Sequence, residues 1–204
     1  MNELCTRQTA NDRPVWAGAV HESAHVLAYM ALGKTVSHVD MYGAGGFTAP
    51  VAGSLIDDAA RAQTAMVGPV VEAFFLTSET RPNVDAATLL LGKLAEMRED
   101  LKWDPDIAAE WGDHADAGPL AEAMLPWSLT LVTSNWTTLE RMADHIVGRL
   151  PDGHHGRVRF QELVGFCPDG PTFDAGTYTA WADACAPWRH AGPGTPLGAW
   201  GGAD

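Results

Sequence analysis

Residues 21 to 25 read His21-Glu22-Ser23-Ala24-His25, two histidines four apart with a glutamate beside the first. The flanks are apolar: Val15-Trp16-Ala17-Gly18-Ala19-Val20 leads in, and Val26-Leu27-Ala28-Tyr29-Met30-Ala31-Leu32 leads out. Such a segment is expected to fold as a largely buried helix, and buried histidines and carboxylates need partners. On a helix the two imidazoles share one face about one turn apart, ~5–6 Å between neighbouring side chains. That spacing suits two nitrogens gripping one Zn2+, with Glu22 reaching the water activated there. Local signals bound the helix: Asp12 as a cap, Pro14 in the first turn where its missing N–H costs nothing, and Gly33 as a stop. The expected chemistry is zinc-assisted hydrolysis of a peptide bond, with His21 and His25 as ligands and Glu22 as general base.

The chain has 204 residues, enough for one sizeable core with a loose tail. Hydrophobic residues make up 46% and charged residues 19%, the balance of a soluble globular protein. No apolar run reaches the ~20 residues of a membrane helix. The polar start, Met1 to Gln8, lacks a signal-peptide core. Cys5, Cys167 and Cys185 are odd in number and far apart, which argues against a disulfide framework and for a reducing cytoplasm. A net charge of −13 argues against a nucleic acid partner, because phosphate binding depends on Lys and Arg. No phosphate-cradling G-x-x-x-x-G-K-[ST] loop is present, so ATP is not an expected partner. A peptide or protein substrate fits this surface. Oligomeric state is left open.

Beyond Gly33, Val36 to Tyr42 alternates with period two and predicts a strand. Gly43 to Gly46 breaks it, and Phe47 to Val51 is a second strand kept at an edge by Pro50. A helix is expected over 54–76, bent or split at Gly68-Pro69. Further helices are expected over 85–101, from Asp104-Pro105-Asp106 to about Gly112, and from Pro119 to Thr133 or on to Leu150, with Pro126 interrupting. Leu131, Asn135, Leu139, Met142 and Ile146 form its buried stripe. Gly and Pro are frequent after Leu150. Phe160 to Phe166 is expected to pack, while His154-His155 reads as a solvated turn. The expected organisation is an arm over 1–13, a domain over 14–150, a packed extension over 151–190 and a flexible tail over 191–204. The tryptophans are assigned packing roles.

A catalytic zinc usually takes three protein ligands. The H-x-x-G-x-x-H continuation is absent, with Ala28 and Ala31 at its positions, so the third ligand must lie farther along. The segment His21-Glu22-Ser23-Ala24-His25-Val26-Leu27-Ala28-Tyr29, then Gly33, Val36-Ser37-His38-Val39 and Gly45-Gly46-Phe47-Thr48, resembles the zinc peptidase domain of FtsH-type ATP-dependent proteases. Val67-Gly68-Pro69-Val70-Val71-Glu72-Ala73 partly echoes the G-G-R-x-A-E-E helix of that family, without its arginine. The resemblance spans about residues 14 to 150. It implies a mainly α, zincin-like domain with a short edge sheet after the H-E-x-x-H helix, here without AAA motor or membrane anchor. It also implies an aspartate ligand in the first turn of a later helix, the slot of Asp106 with Asp104 as cap. Asp85, which also starts a helix, is a rival, as is Glu72 in a glutamate-type arrangement. His38 and His114 have no pattern behind them as ligands.

The strand at Val36 to Tyr42 is a candidate for binding an extended peptide by edge pairing, with Val36, His38 and Tyr42 nearest the substrate. Three other readings compete with a general peptidase. The chain is a catalytically silent zinc-binding interaction protein; or it cuts one folded partner; or the motif is a coincidence in a helical domain, and no metal binds.

Overall fold

Helix α1 spans Arg13–Ala31 and carries the whole H-E-x-x-H motif. Its alanines and unbranched side chains favour the helical state, and Pro14 sits in its first turn. Gly33 ends it at φ +66°: its N–H bonds to the Met30 carbonyl, and the Lys34 N–H to that of Tyr29. That pair of bonds is the Schellman stop, which asks for a left-handed residue and so for glycine. The computed structural model describes residues 13–51, 64, 66–68, 70–71, 117–151 and 154–173. The cap expected at Asp12 and the helices expected over 85–101 and from Asp104 lie outside these residues. So do the N-terminal arm, Pro69 and the tail.

The fold is mixed α/β, with helices packed on a small antiparallel sheet. Among the described residues the sheet has three strands: β1 (Val36–Tyr42), β2 (Gly45–Pro50) and β3 (His155–Arg159), in the order β2-β1-β3. Gly43, at φ +69°, opens the two-residue turn that pairs Tyr42 with Gly45. The register slips between Val36 and His38, so Ser37 is the extra residue of a bulge. The slip changes the phase of the alternation. Val36 therefore joins Val39 and Met41 in the core instead of facing away with His38. Among the described residues Pro50 lies on an edge strand, where its missing donor is tolerated.

Strand β3 falls where a turn was expected. Arg157 pairs with Asp40 and Val158 with Val39, so residues beyond 150 complete the sheet of the domain rather than lean on it from outside. Their Gly and Pro content hid a five-residue strand whose only fully buried side chain is Val158. Helix α4 (Phe160–Leu163) and a 3-10 turn (Val164–Phe166) follow directly, with Phe160 and Leu163 buried as the expected packed segment.

Helices α2 (Ala117–Ser134) and α3 (Trp136–Arg149) form the other side of the core. Pro126 does not interrupt α2, which runs through it. The break comes at Asn135, whose φ of −114° and ψ of 16° lie off the helix. Its side chain binds competing backbone groups: Nδ2 donates to the carbonyls of Leu131 and Thr172, and Oδ1 accepts from the Thr172 N–H. The predicted stripe of Leu131, Leu139, Met142 and Ile146 is fully buried. Helix α1 is wrapped on several sides: α3 reaches it through Trp16 Nε1 and Asp144 Oδ1 (2.9 Å), and β2 crosses it closely. Glycine is required at Gly18, where a Cβ would overlap the Ala44 carbonyl. No helix among the described residues is long and apolar enough to cross a membrane.

Candidate metal centre

The four-residue spacing does bring the two imidazoles together. His21 and His25 ring centroids lie 4.7 Å apart and the two Nε2 atoms only 2.9 Å. His25 is 5% exposed. Its Nδ1 lies 2.6 Å from the Thr64 carbonyl oxygen, which can only accept. Nδ1 therefore carries a ring proton, and Nε2 is the nitrogen that faces His21, hydrogen-bonded to its Nε2. Metal-ligating histidines are commonly fixed in this way by a carbonyl on the far nitrogen. Two nitrogens ~2.0–2.1 Å from a tetrahedral zinc stand roughly 3.3 Å apart, so the pair needs only a small opening to accept the ion. The two imidazoles thus fit a zinc ion. Among the described residues no third His, Cys, Asp or Glu joins them in a metal-holding group. Asp106, Asp85, Asp104, Glu72 and His114 lie outside the described residues.

Glu22 leaves α1 on the side of the sheet. It is 4% exposed, and Thr48 Oγ1 donates to Glu22 Oε2 at 2.7 Å and to the Glu22 carbonyl oxygen at 3.2 Å. Gly46, two residues earlier on the same face of β2, makes room for the carboxylate. A Cβ there would stand 2.6 Å from Glu22 Cγ and 2.9 Å from Cδ. Two helical residues do the corresponding work for the histidines, Thr64 through its carbonyl and Gly68 by lying flush against the His21 ring. Gly46, Thr48 and Gly68 stood out in the sequence only through the resemblance, and Thr64 not at all. The one local hint was the period of two that puts Gly46 and Thr48 on one strand face.

The expected substrate strand needs correction. β1 is the central strand, with β2 and β3 filling both its sides, so it has no edge for a peptide. Val36 is buried in the core. His38 and Tyr42 point to the face of the sheet away from α1, where they surround Asp40. His38 Nε2 is 3.3 Å from Asp40 Oδ2, and the Tyr42 hydroxyl donates to the same oxygen at 3.2 Å. Arg157 from β3 grips Asp40 with two bonds of 2.6 and 2.7 Å. The guanidinium bonds hold the Asp40 carboxyl below its usual range, against desolvation. Desolvation, then the Asp40 charge, push the Tyr42 hydroxyl up. This cluster staples β1 to β3.

No protein family, curated protein or solved structure matches the chain.

Proposed function

We propose that this chain is a zinc-dependent metallopeptidase, a relative of the FtsH-type peptidase domain. The observation behind the reading is the 2.9 Å approach of two Nε2 atoms, with a carbonyl holding the far nitrogen of the His25 ring. His21 and His25 would hold the metal through Nε2. Asp106 is the proposed third ligand, with Asp85, Asp104 and Glu72 as rivals. Zinc bound there supplies a Lewis acid for the scissile carbonyl and a water of lowered pKa. Glu22 would serve as the general base, taking a proton from water and passing it to the leaving amine. Thr48 occupies Oε2, which leaves Oε1 for the proton. A peptide paired along the outer edge of β2 would run beside the base, because Gly46 and Thr48 of that strand touch Glu22.

Zinc content and hydrolysis test this together. The parent should carry one zinc and cleave unfolded protein. His25→Ala should lose the metal. Glu22→Gln should keep it while hydrolysis falls by about 100-fold or more. Asp106→Ala and Asp85→Ala, in the same elemental measurement, identify the third ligand. Zinc without cleavage of any peptide would favour the silent interaction protein instead, and cleavage of a single folded partner the regulatory one. A zinc-free parent in zinc-replete buffer sinks the reading.

A further inference from the structure

Thr64 and Gly68, both helical, meet the histidine helix as a matched pair. Thr64 lies against His25 and Gly68 against His21, two pairs each four residues apart and running in opposite directions. Gly68 is buried and helical, with no positive φ, so its backbone does not require glycine. Alanine would suit the helix better. What requires glycine is the imidazole. A Cβ at Gly68 would overlap Cε1 and Nε2 of His21 and stand 3.0 Å from Nδ1. Among the described residues, the three atoms nearest to it all belong to the end of one rotatable side chain, not to backbone.

We infer that Gly68 is a positioning residue for the metal centre: its bare Cα sets the rotamer in which His21 Nε2 meets His25 Nε2. The inference rests on the metallopeptidase reading. Its consequence separates two properties that usually fall together. A methyl at 68 turns the ring off the shared point while the backbone stays in place. Gly68→Ala therefore keeps the fold and weakens metal binding. The His25 half of the site is unaffected, since Thr64 holds it through a main-chain carbonyl.

Zinc affinity by chelator competition and melting of the metal-free protein are the two readouts, neither of which depends on activity. Gly68→Ala should melt at or above the parent and bind zinc about 10-fold or more weakly, the usual cost of disturbing a ligand's support. Gly148→Ala is the control. Gly148 is helical in α3, with no described residue within 4 Å of an added Cβ, so zinc affinity should be parental. In a His21→Ala background the second substitution should change affinity no further, because the ring it displaces is gone. Parental affinity in Gly68→Ala overturns the role of Gly68 and leaves the metallopeptidase reading standing. A melting temperature lowered by Gly68→Ala and not recovered in the double variant overturns it too, since the methyl then meets something other than the ring. A parent that binds no zinc removes both.

Discussion

Glu22 is a carboxylate that its own helix cannot satisfy. A residue in the middle of a helix has its backbone groups committed, and α1 is buried on the side where Glu22 emerges. A buried acceptor without a donor costs about 1–3 kcal/mol, and more when charged. The donor is Thr48, from a strand 26 residues away. Thr48→Val keeps the shape and removes the hydroxyl. It should lower kcat by about 10-fold or more, as loss of an oriented proton acceptor does, with KM and zinc content unchanged. Thr48→Ser, which restores a donor, should recover most of the rate. Steady-state kinetics beside metal analysis will tell; equal kcat in the valine variant would reduce Thr48 to packing. The motif marks Glu22 in the sequence. Nothing near Glu22 marks its partner, because the contact exists only once β2 is laid across α1.

At the scale of elements, ends and junctions explain more than interiors. Gly33 closes α1, Gly43 turns the hairpin, and Asn135 separates α2 from α3. The short helix α4 is held by Glu162. Its carboxylate accepts from Arg149 Nε (2.9 Å) and Nη2, and from the Arg159 backbone N–H (3.3 Å). Arg149 is the main reason its pKa falls from 4.5 to about 2. A carboxylate depressed in the folded state binds fewer protons there than in the unfolded chain. Its contribution to stability is therefore complete above the unfolded value of 4.5 and is lost as pH falls toward about 2. Glu162→Gln should melt below the parent at pH 6, and the gap should close by pH 2. A gap that stays constant across that range would place the effect in packing instead of charge. Glu162 is part-buried but its partner Arg149 is exposed, so salt should narrow the gap as well.

Across the whole molecule, the decisive feature is closure of the sheet by β3. The expected domain ended at Leu150. The observed one takes its third strand from 155–159 and continues its core through Val158, Phe160 and Leu163. At ~1.5–3 kcal/mol apiece those three side chains represent about 5–9 kcal/mol, comparable to the ~5–15 kcal/mol net stability of a typical domain. A chain ended at 150 should therefore lose cooperative urea unfolding and its near-UV circular dichroism. Retention of a sharp transition would show that β1 and β2 stand without β3. The strand escaped notice because its sequence, His-Gly-Arg-Val-Arg, offers one apolar residue and two charges that read as a loop. Its identity comes from its partner: Arg157 is held by Asp40 and Val158 by the core beside Val39.

Helix α1, its stop at Gly33 and the meeting of His21 with His25 were legible because each depends on neighbours within about one turn, where the 3.6-residue period is a complete instruction. The strand at Val36 to Tyr42 was legible in kind but not in position. Alternation says which residues share a face, not whether a strand lies at the edge or in the middle of a sheet. Thr48 on Glu22, Thr64 on His25 and Arg157 on Asp40 join residues 26, 39 and 117 apart. Such pairs follow from burial of the apolar faces, which selects one register among those that local propensity allows.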